Sequence, residues 1–273
     1  MSELKKKIHD WLSEQGYPLE MKVARSFRNA GFRTIQSEYF HDPETETERE
    51  VDVVASIDRD VDDLLVRIEF VVECKQSTAK PWLLFTSPRE PLAPPARVAQ
   101  RLGSTVARCV LEQLCQDESA QRSDLFTLSG PPAYGATQAL TSGKDSVFGA
   151  MASVSSAAIS IATEYDDRKN DSFSIAKFVF PLIVVDTKLF GVQLSDDAEE
   201  VLISDISEGT VIWRSQRARV PHTIIPVVSA EALNAHIHKL KVASEEFLSN
   251  HSAAFLKGRD VAKNRYGKKI PLA

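Results

Sequence analysis

The 273-residue chain has only three cysteines, Cys74, Cys109 and Cys115, and no two of them form a CxxC pair. That excludes a disulfide framework and predicts a reducing, cytoplasmic compartment. No run reaches about 18 unbroken apolar residues, so no membrane span is expected. The nearest, residues 148–162, is rich in Ser and Ala and reads as a buried helix. The first residues carry charge with no apolar stretch behind them, so no secretory signal is expected. The sequence lacks a phosphate-cradling glycine loop, a nucleophile elbow and an internal repeat. It also lacks a zinc pattern, because His236 and His238 stand two apart on an expected helix and face different directions. With 11 Gly and 13 Pro, it is neither collagen-like nor low in complexity.

What is present is ordinary globular material. Apolar residues make up 43% and charged residues 26%, enough to build a core. The net charge is −5, and residues 1–80 hold all of it, with 12 basic against 17 acidic side chains. Elsewhere the signs balance. Two basic groups stand out as candidate phosphate contacts: Arg214, Arg217 and Arg219, and a tail over 257–273 with Lys257, Arg259, Lys263, Arg265, Lys268 and Lys269. A solvated surface and a frayed end are the alternatives.

Apolar spacing predicts a helix over 3–15 with Leu4, Ile8, Trp11 and Leu12 on one side. A second helix starts at Tyr17-Pro18, carries Leu19, Val23, Phe27 and Ala30, and stops at Gly31. Strands follow over 34–40, 51–57 and 64–74, with an acidic turn at 41–50. The chain then reads as irregular through Pro95. A helix is expected over 96–116, a long loop over 118–143 and a helix of small residues over 144–166. Strands are expected over 174–185, 188–194, 201–206, 210–214 and 223–228, then a helix over 230–256. The order predicts a mixed α/β layout around one sheet.

The chemistry concentrates in Glu50-Val-Asp52 and in the strand that ends Val-Val-Glu73-Cys-Lys75. Residues two apart on a strand share a face. Val66, Ile68, Phe70 and Val72 therefore face the core, and Glu73 and Lys75 stand side by side on the other face. If the strands of Asp52 and Glu73 pair as a hairpin, two carboxylates and a lysine converge. Such a set suits phosphodiester cleavage. Two carboxylates can hold Mg²⁺, and a lysine can orient water and balance developing negative charge. Glu50 is a second choice of ligand on the strand of Asp52. Gln76 follows the lysine and is a candidate phosphate contact, or part of a turn.

A strand bearing Asp followed by a strand ending Glu-x-Lys resembles the PD-(D/E)xK nuclease superfamily, the restriction-endonuclease-like enzymes. Asp52, Glu73 and Lys75 match the motif, and Glu20 lies on the preceding helix, where many members place an acid. The resemblance covers about residues 17–116 plus a strand from 174–194. It implies a restriction-endonuclease-like mixed sheet flanked by helices, and the chain is expected to form one domain over 1–273. Within it, a helical insertion over about 118–166 would follow the third strand, and a strand-helix extension would end the chain. It also implies a DNA nuclease using Mg²⁺ or Mn²⁺. Asp52, Glu73, Glu20 and the backbone carbonyl of Cys74 would be ligands, and Lys75 would position the attacking water. Restriction, phage defence or repair are the expected settings. RNA as substrate, and a non-catalytic subunit of the same fold, are the alternatives. The acidic surroundings predict a homo-oligomer or a partner subunit that supplies basic surface.

Overall fold

Asp62 and Asp63 join the two longest strands, β2 (Thr47–Val61) and β3 (Leu64–Gln76). Asp62 adopts the left-handed conformation, φ 52°, which a short polar side chain tolerates. The pairing is antiparallel, from Val61↔Leu64 to Val53↔Val72. β1 (Arg33–Asp42) lies antiparallel on the outer side of β2. The computed structural model describes residues 2–42, 45–76, 80–87, 102–115, 117–128, 130–141, 145–164, 166, 173–214 and 222–267.

Seven further strands complete one mixed sheet among the described residues. They are β4 (Trp82–Thr86), β5 (Ala133–Gln138), β6 (Ile175–Asp186), β7 (Leu189–Leu194), β8 (Val201–Ile206), β9 (Glu208–Arg214) and β10 (His222–Ser229). The order across the sheet is β1-β2-β3-β6-β10-β9-β5-β4-β7-β8. β6 runs parallel to both β3 and β10. Such a central strand is covered on both faces and needs no alternation. Accordingly, the first eleven residues of its run Ile-Ala-Lys-Phe-Val-Phe-Pro-Leu-Ile-Val-Val-Asp are all buried.

The helices are α1 (Glu3–Glu14), α2 (Tyr17–Asn29), α3 (Thr105–Leu114), α4 (Glu118–Arg122), α5 (Ser146–Thr163), α6 (Leu233–Asn250) and α7 (Ser252–Tyr266). One core lies between the sheet and α2, α3, α6 and α7. It takes Val53, Ile68, Phe70 and Val72 from the hairpin and Phe178 and Phe180 from β6. The aromatic rings in it touch in sequence, from Phe27 through Phe70, Phe180 and Phe126 to Phe247 and Phe255. The other core lies under α5, against Val71, Val179, Ile183 and Val227. α5 has the length and apolarity of a membrane span, but 67% of it is buried in the fold.

Four expectations change. The stretch after Lys75 is not all irregular, because residues 82–86 form β4 with Trp82 fully buried. The insertion over 118–166 is not purely helical. It supplies β5, which pairs with β4 and touches β9, so it extends the sheet. The helix expected over 96–116 is seen over Thr105–Leu114. Residues 96–101 lie outside the described residues, and Gly103 bridges to Phe178. A Cβ on Gly103 would stand 2.5 Å from the Lys177 carbonyl oxygen, so this contact needs glycine. Finally, the terminal helix breaks at His251, and much of the basic tail is helix α7 rather than a frayed end. α7 packs on α3 with Gly258 against Val110, and its Arg259 and Arg265 pair with Asp63 and Glu112. Lys268 and Lys269 lie outside the described residues.

Candidate active site

The β2–β3 register carries the site. The register ends at the pair Val53↔Val72, and the next residues, Asp52 and Glu73, come close enough to act on each other electrostatically. Asp52 then takes the place of a backbone acceptor, and its Oδ2 accepts the Cys74 N–H at 2.6 Å. Glu73 is buried, and the Lys75 ammonium reaches its Oε1 at 2.5 Å. On the far side, β6 places Ile183, Val184 and Val185 beside Glu73, Cys74 and Lys75. Apolar strand thus walls the carboxylates on one flank. Period-2 alternation sends the Cys74 side chain the other way, into the helix-covered core.

The electrostatics follow from this crowding. Burial, and next the Glu73 charge, push the Asp52 carboxyl up to about 7, although the Cys74 N–H and Lys75 pull the other way. Glu20, in the first turn of α2, is also raised, by burial and then by Glu50, with a smaller push from Glu73. Burial would lower Lys75, but the charge and hydrogen bond of Glu73, with Asp52 behind them, outweigh it and raise the ammonium's pKa. Burial and the surrounding acids push the Cys74 thiol well up, so it is no thiolate at neutral pH.

Asp52, Glu73, Lys75 and Glu20 therefore form one electrostatic group, and Glu50 acts on it from the exposed end of β2. Gln76 closes β3 beside Asp186 of β6. The arginines do not join them. β9 runs antiparallel to β10, and β10 is parallel to β6 and, through it, to β3. Arg214, paired with His222 at the start of β10, therefore stands at the opposite end of the strands from Lys75. Arg217 and Arg219 lie outside the described residues.

Among the described residues, no three His, Cys, Asp or Glu side chains are gathered as a metal-holding group. Asp52 and Glu73 are two, which suits a hard dication that keeps several waters. Burial and the Glu73 charge raise Asp52 more than Lys75 lowers it, so a dication would relieve the pair, and the donor set fits Mg²⁺ or Mn²⁺.

Sequence reading missed a second buried group. Lys177 of β6 lies 3.3 Å from Glu69 Oε2 and 3.1 Å from Glu164 Oε2, and Arg67 stands 3.6 Å from Glu69. Its signal was a lone lysine inside an apolar strand, where a charge needs partners. No family model, no curated protein and no solved structure matches the chain.

Proposed function

We propose that this chain is a Mg²⁺- or Mn²⁺-dependent nuclease that hydrolyses phosphodiester bonds of DNA, in restriction, phage defence or repair. One observation carries the reading: Asp52 and Glu73 act on each other in a largely buried site beside a charged Lys75. The order of elements supports it. A helix with an acid (α2), three antiparallel strands (β1–β3), a helix (α3) and a strand parallel to the third (β6) are similar to the restriction-endonuclease-like core.

In this reading Asp52, Glu73 and the Cys74 carbonyl would hold the ion, and Glu20 would steady the site or a second ion. Such a dication would polarise the phosphate and lower the pKa of a water. Asp52 would serve as a ligand in its deprotonated form. Lys75, held charged by Glu73, would orient the attacking water or donate to a phosphate oxygen. As the water oxygen bonds phosphorus its proton would pass to solvent, the leaving P–O bond would break with its oxygen taking a proton from solvent, and Lys75 would offset the negative charge between these events. The valine and isoleucine wall keeps bulk water from weakening these interactions.

A second reading has its own support. Lys75 closes directly on Glu73, and no third ligand is gathered with the pair among the described residues, as in a non-catalytic subunit of the same fold. A cleavage assay separates the two. Supercoiled plasmid, linear duplex, single-stranded DNA and RNA are incubated with Mg²⁺, Mn²⁺ or EDTA, beside Lys75→Ala. Cutting that needs metal and disappears in Lys75→Ala is the expected result, and the substrate panel decides between DNA and RNA. Cutting that survives in Lys75→Ala or in EDTA overturns the assignment. No cutting, together with no Mn²⁺-induced rise in Tm, favours the subunit reading.

A further inference from the structure

The helix α1 has 12 residues and places no described side chain in the core. Residues 2–11 are exposed and Leu12 is half-buried. The apolar stripe on its one side faces out: Leu4 is 67% exposed, Ile8 47% and Trp11 53%. An isolated helix of this length is marginal in water, and most helical stability comes from packing an apolar face. α1 therefore has a face to bury that its own fold leaves open.

That face continues onto α2. The Trp11 and Tyr17 rings stand 6.4 Å apart, and Met21 follows Tyr17 by one helical turn. Tyr17 is 51% exposed and Met21 61%. Leu4, Ile8, Trp11, Tyr17 and Met21 form one ridge across two helices. Taking roughly 200 to 250 Å² for each fully exposed side chain of this size, the ridge offers about 600 Å². A single patch that large lies at the top of what ordinary monomers expose.

We propose that this ridge is a two-fold interface between two copies of the chain. Two such ridges would bury about 1,200 Å², the lower end for a specific complex, so the dimer should be weak, with a micromolar Kd. The order of the ridge suits self-pairing, because an isologous contact needs a patch complementary to itself. With the two-fold axis near Trp11 and Tyr17, aromatic rings meet aromatic rings, and Leu4 and Ile8 meet the region of Met21. The rim of α1 carries Glu3 and Asp10 as well as Lys5, Lys6 and Lys7, so the charges beside the ridge do not repel a copy of themselves. The mixed signs also disfavour a lipid surface, which selects a polar face rich in Lys and Arg. This inference does not depend on the nuclease reading.

Sedimentation velocity of the full chain from about 1 to 200 μM tests it. The 30.3 kDa monomer should shift toward twice that mass as concentration rises. Trp11→Glu and Ile8→Lys should each stay monomeric throughout the range, whereas Lys6→Glu, off the ridge, should behave as the parent. Both ridge variants should keep the parent Tm within a few degrees, because neither side chain is in the core. A parent that is monomeric at every concentration overturns the proposal. So does a dimer that persists in both ridge variants, which would place the contact elsewhere.

Discussion

Strand β3 carries two buried acids on one face, Glu69 and Glu73, four residues apart and almost equally hidden, at 6% and 5% exposure. Their company differs. Glu69 sits between the cations Lys177 and Arg67, with Glu164 beyond. Burial still raises it, but the first opposing influence is a positive charge. Among the described residues Glu73 pairs with Lys75, whose charge also acts on Asp52 and Glu20. A buried acid with matched cations is a structural joint. A buried cluster of acids short of positive charge pays a folding cost that a ligand can relieve, which is the usual mark of a functional site.

The contrast can be broken by removing one lysine from each group. Lys75→Ala should cut nuclease activity by about 10²- to 10³-fold, the range for a lost electrostatic donor, and should also lower metal-free stability, because it leaves the buried Glu73 without its cation. Lys177→Met should act on stability alone. It leaves Glu69 buried with Arg67 at 3.6 Å and should lower stability by about 3 kcal/mol in urea titration, with cleavage per folded molecule unchanged. A loss of cleavage per folded molecule as large as that of Lys75→Ala would erase the distinction between the clusters.

The burial of Asp52, with the Glu73 charge beside it, predicts a pH dependence. The folded Asp52 carboxyl, at about 7, lies above its ordinary 3.8. Between these values the folded state binds more protons than the unfolded one. The stabilisation is therefore full below about pH 4 and is lost as pH rises through about 7. Asp52→Asn should remove that slope and make the metal-free protein more stable at pH 8, by on the order of a few kcal/mol. Mn²⁺ should raise the Tm of the parent at pH 8 and leave Asp52→Asn unmoved. A metal-free stability profile that is flat from pH 4 to 8 would refute the raised Asp52.

The smallest expected effect is at Glu208. Its hydrogen bond from His236, 2.8 Å, holds its carboxyl down at about 2, with Lys239 assisting. The sign is opposite to that of Asp52: the stabilisation is present above pH 4.5 and is lost as pH falls through about 2. Discounted for solvent screening, Glu208→Gln should cost about 1 kcal/mol at pH 7 and nothing near pH 2, measured by urea titration at each pH.

How much of this was legible in the sequence depends on distance along the chain. β2 and β3 alternate in period two and are joined by two residues, so the meeting of Asp52 with Glu73 could be read from the residues alone. β4 and β5 could not. The partners of Trp82-Leu-Leu-Phe85 are β5, some fifty residues on, and β7, about a hundred residues on, and Pro81 and the prolines after it resemble loop. The pairing of Lys177 with Glu69 depends on the same long-range closure. Periodicity showed that Leu4, Ile8 and Trp11 share a side of α1, but it does not say what covers that side. The break at His251 falls in a sequence with no Pro or Gly to mark it.

The parallel register of β3 and β6 has a kinetic consequence. Leu65 pairs with Ile175 across 110 residues, whereas Val61 pairs with Leu64 across three. A hairpin closes in about 1–10 μs, while such a distant parallel contact waits for far more chain to be ordered. Asp52 and Glu73 thus come together while water still screens them. Dehydrating them falls on the later step that docks β6, so rising pH should slow that docking step and leave hairpin formation unchanged.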